Sequence, residues 1–269
     1  MTNADLVYLY AVLPRVVEQE VLGIDERPLR WVVEEHLAAA VSDVPATEFD
    51  EAPLNERIRD LRWLEPRAVA HQAANARLHE LSRAVLPLSF GTVFRSDERV
   101  RDLLRGEGSN LRERLARVAG RSEWVLAVHR DDDAALASLE ASPALRRLQA
   151  EVEAASPGRA HLLKRRLVEA SHEEMRRVDA EVETRLDSAL GSVADAVFAE
   201  PLAAEAAERP MWRGSLLVDR AREPDLLKAL DSLRQELEPR GYSLLLTGPW
   251  PPYRFGGLEP SRQVHAPAV

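Results

Sequence analysis

The sequence predicts an α+β protein of two domains, the N-terminal one modified ferredoxin-like and the C-terminal one ferredoxin-like α/β with extra long helices. At 269 residues the chain is long enough for two domains of ordinary size. Both halves mix short apolar strands with helices, and the two types do not alternate regularly. No Gly-rich phosphate loop follows a strand, which argues against a doubly wound sheet. We expect domains at 1–120 and 121–256 and a flexible tail at 257–269.

In the first half, apolar and β-branched runs predict strands, and capping residues mark helix starts. The run at 6–12 is apolar on both alternating faces, as in a central strand. Pro66 opens a helix to about residue 84, with Val69, Ala73, Ala76 and Leu81 on its apolar face. Ser96 is the expected N-cap of the next helix. The remaining predicted segments are strands at 29–33, 37–41 and 85–94, a loop at 45–55, and a pause in the last helix at 106–108.

In the second half, strands are predicted at 124–128, 213–218 and 242–247. A long helical region should reach about Phe198, with an interruption at 156–158. Its apolar residues fall at helical spacings and predict a buried stripe: Leu163, Leu167, Met175, Val178, Val182 and Leu186. A further helix begins near Pro224 and stops at Pro239 and Gly241.

Composition excludes several classes of function. The net charge of −9 argues against binding to nucleic acid phosphates or anionic lipid. The absence of cysteine excludes disulfides, thiolate catalysis and Cys-ligated metals. The N-terminus lacks signal-peptide features and no apolar run is long enough to span a membrane, so we expect a cytoplasmic protein.

The residues that could carry chemistry all have simpler interpretations, so we expect no enzyme, no cofactor and no metal site. His71 and His79 lie eight residues apart on one predicted helix, and no HExxH motif is present, which favours surface or capping histidines. The acids at 131–133 precede a helix, where they oppose its dipole. The basic run at 164–166 lies on a helix and is interpreted as a solvated face.

The segment GPWPPYRF at 248–255 concentrates aromatic residues, which make up only 5% of the chain. Its prolines can block strand continuation, or its aromatics can fold back as a lid on their own domain. Alternatively, an extended arm presents the aromatics to a partner. The candidate protein-interaction residues are Trp250, Pro251, Pro252, Tyr253 and Phe255, together with Phe90 and Phe94 of the segment LPLSFGTVF.

Four segments in order resemble the gas vesicle protein family of the GvpF/GvpL type. They are LVYLYAVLP near the N-terminus, LPLSFGTVF at 86–94, SPGRAHLLKRRL at 156–167 and the closing LLLTGPWPPYRF. Two positions depart from the family pattern: His161 stands where tyrosine is commoner, and Ser89 where a basic residue is often found. The departures weaken any residue-level role at those positions but not the resemblance, which covers nearly the whole chain.

The resemblance implies a non-enzymatic accessory or minor structural protein of gas vesicle formation, located in the cytoplasm and at the gas vesicle. Its expected partners are the major hydrophobic shell protein and other gas vesicle accessory proteins, bound during nucleation or assembly. Nucleic acid, membrane and small-molecule substrates are not expected. The competing hypothesis is a small-molecule-binding ferredoxin-like enzyme with a site between the domains, and perturbed titratable groups converging in a deep pocket would favour it.

Overall fold

The computed structural model describes residues 5–139, 142–201 and 210–257, and the chain divides into two compact units. Unit 1 comprises Met1–Glu123 and Pro249–Val269, and unit 2 comprises Trp124–Gly248. The first crossing lies close to the predicted boundary at 120/121. Residues 249–256, however, group with unit 1 rather than with the predicted second domain. Of the predicted tail, 258–269 lies outside the described residues.

In unit 1, residues 5–123 form five strands, five helices and one 3₁₀ turn, and residues 249–257 add one further helical turn. The strands are β1 (Asp5–Leu13), β2 (Arg30–Glu34), β3 (Leu37–Pro45), β4 (Leu86–Pro87) and β5 (Val93–Phe94). The helices are α1 (Ala46–Phe49), α2 (Glu51–Arg57), α3 (Leu61–Leu81), α4 (Asp97–Gly106) and α5 (Gly108–Val118), with the 3₁₀ turn at Ile24–Glu26.

The sheet of unit 1 has the strand order β2-β3-β1-β4, with β5 also paired to β1. Strand β1 pairs antiparallel with β3, β4 and β5, and β2 pairs antiparallel with β3. The β1–β3 register runs from Asp5 opposite Pro45 to Leu13 opposite Ala38. This is the ferredoxin-like order, confirming the predicted fold. The modification lies between β1 and β2, where a loop with one 3₁₀ turn replaces the usual crossover helix.

Helices cover both faces of this sheet. Val7 and Leu9 of β1 pack with the apolar residues of α4 and α5, and Tyr8 and Tyr10 pack on the opposite side with those of α3. The cause is the strand that was predicted to be central. Residues 6–13 are all buried, so both faces of β1 need apolar partners.

Three predictions in unit 1 were wrong in detail. The predicted loop at 45–55 contains α1 and α2, and Asp50 caps α2 by accepting from the Glu51 N–H. The helix predicted to begin at Pro66 begins at Leu61, because Asp60 accepts from the Arg62 N–H and provides an N-cap one turn earlier. The predicted strand 85–94 is two short strands joined by a turn in which Gly91 has φ +83°.

The buried face of α3 also differs from the predicted apolar stripe. Val69 is 62% exposed and Ala73 is exposed. The buried residues are Trp63, His71, Ala74, Asn75, Leu78 and His79. Three of these side chains are polar, so the apolar pattern alone selected the wrong face, and the prediction of surface or capping positions for His71 and His79 was wrong.

The described residues of unit 2 form four strands, four helices and two 3₁₀ turns. The strands are β6 (Arg121–Arg130), β7 (Ala196–Ala199), β8 (Trp212–Asp219) and β9 (Tyr242–Trp250), the first and last crossing the unit boundary. The helices are α6 (Asp132–Leu139), α7 (Pro143–Glu153), α8 (Pro157–Gly191) and α9 (Glu223–Leu237), with 3₁₀ turns at Arg220–Arg222 and Glu238–Arg240. The strand order β7-β8-β6-β9 is again ferredoxin-like, with α6–α8 as the first crossover and α9 as the second.

The core of unit 2 lies between its sheet and the helices α8 and α9. The predicted burial of apolar residues along α8 is confirmed. Leu163, Val178, Val182 and Leu186 are buried, and Leu167 and Met175 are partly buried against the core of unit 2. The acids before α6 act as predicted, since the Asp131 carboxylate accepts from the Ala134 N–H.

The end of the long helical region and the end of the last strand were predicted wrongly in unit 2. The helical region, predicted to reach about Phe198, ends at Gly191, and Ala196–Ala199 is the edge strand β7. Four residues are too few to show the alternation of buried and exposed side chains that predicts a strand. Strand β9 continues past Thr247 through Gly248 and Pro249 to Trp250. Proline is tolerated there because β9 is an edge strand, where a missing N–H removes no ladder hydrogen bond.

Candidate protein-interaction surface

The closing segment, residues 249–257, lies against the β4 edge of the unit 1 sheet. It ends in the helical turn α10 (Tyr253–Gly256), which contacts β4 and α5. Phe255 packs on the core formed with α4 and α5. Gly256 is buried so closely that an added Cβ would lie 3.1 Å from Leu86 Cδ2 and 3.2 Å from Val118 Cγ1.

Prolines and a backbone hydrogen bond fix the closing segment in this position. Pro251 and Pro252 are both buried. The Arg254 N–H donates to the Glu123 carboxylate at 2.7 Å, and Glu123 itself is only 5% exposed. The segment therefore covers the apolar core beside β4 and α5.

The turn between β4 and β5 carries Phe90 and Gly91 of the LPLSFGTVF segment. The Phe90 ring meets the rings of Tyr8, His71 and Trp63 edge-on, with centroids 6.0, 5.8 and 6.5 Å away. The Gly91 N–H donates to the Tyr8 hydroxyl at 3.0 Å. This turn thus closes over an aromatic cluster inside its own unit.

A buried hydrogen-bond network centred on His71 joins β1, α3 and the β4–β5 turn. His71 Nε2 lies 3.1 Å from the Leu88 carbonyl, and Nδ1 lies 3.0 Å from the Tyr8 hydroxyl. Since a carbonyl can only accept, Nε2 carries the hydrogen and Nδ1 accepts from Tyr8. The Asn75 amide lies 3.1 Å from the same Nε2, which as a donor can bond only to the amide oxygen, and it also hydrogen bonds the Tyr253 hydroxyl, which extends the network to the closing segment.

Burial keeps all the titratable groups of this network neutral. Removal from water lowers the pKa of His71 to about 4, against a smaller opposing effect of the bond to the Leu88 carbonyl. It raises the pKa of Tyr253 to about 12 and that of Tyr8 well above its usual range. At neutral pH the network is therefore an uncharged set of donors and acceptors.

The structure brings only some of the predicted interaction residues together. Phe94 and Phe255 pack on the α4–α5 side of the sheet, whereas Phe90 packs on the α3 side. Tyr253 reaches toward α3 through Asn75. The residues that keep a part-exposed side chain in unit 1 are Phe90, Phe94, Trp250, Tyr253 and Phe255, and we call them the aromatic set.

Sequence reasoning missed Tyr8, His71 and Asn75, which join these motifs. The signal was present in α3, where His71, Asn75 and His79 recur at the four-residue spacing of one helix face. His79 continues the pattern, with Nε2 3.2 Å from the hydroxyl of the buried Ser122. Polar side chains repeated at helical spacing beside Ala74 and Leu78 indicate a buried hydrogen-bond network.

Two observations bear on ligand binding in the part of the chain that the structure describes. There, no three His, Asp or Glu side chains are grouped as metal ligands. Two shallow grooves are present, one along α8 at Arg177–Ser188 and one beside α2 at Thr47–Asp60, and neither contains a group of the His71 network.

Within residues 5–139, 142–201 and 210–257, none of the helices is both long and apolar enough to cross a membrane. The fold and the surface define a class of protein: a two-unit α+β protein in which the LPLSFGTVF and GPWPPYRF segments pack on a ferredoxin-like sheet.

Comparisons with known proteins identify the family. Residues 6–256 match the family described as gas vesicle synthesis protein GvpL/GvpF, and the chain belongs to this family. It is 34% identical to gas vesicle protein L of Streptomyces sp. (strain CB03234) over 96% of this chain and 95% of that protein. It is 32% identical to gas vesicle protein F of the same strain, over 87% and 90%. The crystal structure of gas vesicle protein GvpF from Anabaena sp. PCC7120 has the same fold, with a TM-score of 0.72 at 16% identity over 95% and 99% of the two chains.

Proposed function

We propose that this chain is a non-enzymatic assembly factor of gas vesicles that binds the hydrophobic shell protein and other accessory proteins during nucleation or assembly. The observation that carries the proposal is the family match over residues 6–256, with relatives named gas vesicle proteins. The protein would act in the cytoplasm, at the growing vesicle.

The aromatic set is the proposed contact surface for the shell protein. A subunit that polymerises through apolar surface needs a partner that covers that surface before incorporation. Part-exposed aromatic side chains on a braced sheet supply contact area with little further loss of conformational entropy. Pro251 and Pro252 are buried, so they would hold the neighbouring aromatic side chains in place rather than contact the partner.

The enzyme hypothesis lacks support from the titratable groups of unit 1. Two of the groups with strongly shifted pKa, Tyr8 and His71, are buried at 0% and 5% exposure and hydrogen-bonded to one another, and a third, Tyr253, is hydrogen-bonded to Asn75 of the same network. A catalytic acid or base must instead reach a substrate. The shifts therefore reflect packing within the unit.

Co-expression with the shell protein tests the function directly. We expect soluble shell protein and vesicle yield to rise when the chain is present, because it holds the subunit in a non-aggregated state. Unchanged shell solubility together with unchanged vesicle yield would contradict the proposal.

A pair of variants tests the contact surface separately from stability. Phe94→Gln combined with Trp250→Gln removes apolar area from the aromatic set, whereas Phe49→Leu changes a fully buried ring of the same unit. Both variants should lower the melting temperature. Only the first should weaken capture of the shell protein, by about tenfold for about 1.4 kcal/mol of lost contact. If shell binding falls in proportion to stability in both variants, the aromatic set only braces the fold.

A further inference from the structure

The N-terminal half of helix α8 carries a second surface, distinct from the aromatic set and located in unit 2. Leu162 and Val168 are 62% and 55% exposed on this helix. The surrounding cations are also exposed: Arg159, Lys164, Arg165 and Arg166. We call these six residues the α8 stripe.

Helical geometry makes the stripe continuous. Arg159, Arg165 and Arg166 lie three before, three after and four after Leu162, so their side chains border it on one face. Arg165 also lies three residues before Val168 and stands between the two aliphatic side chains. The opposite face of the helix is occupied, since Leu163 is buried and Leu167 packs on the core of unit 2.

The cations of the stripe have no acidic partners among the described residues. Farther along the same helix, by contrast, Arg177 pairs with Glu174 and Glu181, and Arg185 pairs with Glu236 of α9. Between 157 and 170 the helix has four cations and a single acid, Glu169, in a chain of net charge −9. The four neighbouring cations repel one another, and a bound acidic group would relieve that repulsion.

From this surface we propose that the α8 stripe binds an acidic amphipathic segment of a partner protein. Carboxylates of the segment would pair with the arginines, and its aliphatic side chains would cover Leu162 and Val168. A membrane fits less well, because only two aliphatic residues protrude and the apolar face of α8 is already buried. Duplex nucleic acid fits less well because the remainder of the chain is strongly acidic.

Binding of a synthetic probe to the full chain tests the stripe. The probe is a fluorescent helical peptide with Glu and Leu at alternating three- and four-residue spacing, and a second peptide has Lys in place of Glu. We expect the acidic peptide to bind more tightly by about tenfold or more, with an affinity that falls as salt rises. Equal binding of the two peptides overturns the proposal, as does tighter binding of phosphatidylglycerol vesicles or duplex DNA.

Two charge-reversal variants locate the site. Arg165→Glu with Arg166→Glu should weaken acidic-peptide binding by about tenfold or more. The matched control, Arg57→Glu with Arg59→Glu, changes the net charge equally at exposed positions of unit 1 and should change the affinity less than about twofold. Leu162→Ser should weaken the part of the binding that persists at high salt. Equal weakening by the two double variants overturns the assignment to α8.

The outcome is separable from that of the proposed gas vesicle function. Capture of the shell protein with no binding of the acidic peptide would retain the assembly role and refute the stripe. Peptide binding that requires Arg165 and Arg166, in a chain that leaves shell solubility and vesicle yield unchanged, would support the stripe and refute the assembly role.

Discussion

Replacing His71 by glutamine should flatten the acid dependence of stability. In the folded protein burial lowers the pKa of this imidazole to about 4, whereas an unfolded chain has a histidine pKa of about 6.5. Between these values the unfolded state binds the extra proton, so the free energy of unfolding decreases as the pH falls. Glutamine keeps a polar side chain of similar reach but does not titrate.

The magnitude follows from the two pKa values. A single group with these values destabilises the folded state by about 2.5 kcal/mol between about pH 7 and about pH 4.5, and by slightly more than 3 kcal/mol when fully protonated. The titratable groups packed against the ring are the hydroxyls of Tyr8, Tyr10 and, through Asn75, Tyr253, all neutral over this range. None of them offsets the charge of a protonated imidazole.

Urea unfolding at several pH values measures the effect. The wild-type chain should lose about 2.5 kcal/mol more than His71→Gln over that interval, because carboxylate titration is common to both and cancels in the difference. His172→Gln removes an exposed imidazole but keeps His71, and should retain the wild-type slope. A wild-type loss equal to that of His71→Gln, or smaller, would refute a buried neutral imidazole.

Three further substitutions test local features of unit 2, each by chemical or thermal unfolding. Gly241→Ala should destabilise by about 2 kcal/mol or more, because φ is +84° and the new Cβ would lie 2.5 Å from the Ala135 nitrogen; a loss below about 0.5 kcal/mol would contradict this geometry. Asp131→Ala should cost about 1 kcal/mol by removing the cap on the Ala134 N–H, and Asp131→Asn should restore most of it. Tyr242→Phe should cost about 1 kcal/mol, because the hydroxyl donates to Asp179 at 2.8 Å, and an unchanged midpoint would show that this bond adds nothing.

Much of the fold could be predicted because strands and caps depend on local sequence. The apolar residues on both faces of the run at 6–12 indicated a central strand. The capping side chains of Ser96 and Asp131 indicated where helices begin. The limits of β7 and β9 could not be read, because pairing with a neighbouring strand decides where a short strand exists.

The buried network could not be predicted from the same patterns. His71 and Asn75 are buried because Tyr8, Leu88 and Tyr253, distant in sequence, supply their hydrogen-bond partners. Apolar periodicity carries no information about such partners. For the same reason, the placement of GPWPPYRF on the edge of β4 could not be deduced from its composition.

The return of residues 249–257 to unit 1 has a consequence for the order in which the chain folds during synthesis. During synthesis, all of unit 2 is made before the residues that pack beside β4. Unit 1 is therefore still incomplete when every residue of unit 2 has been translated. A chain interrupted anywhere before Pro249 lacks Phe255, Gly256 and the Tyr253 hydroxyl. Such a fragment lacks the apolar cover over Leu86 and Val118, which would make it a substrate for chaperones and proteases.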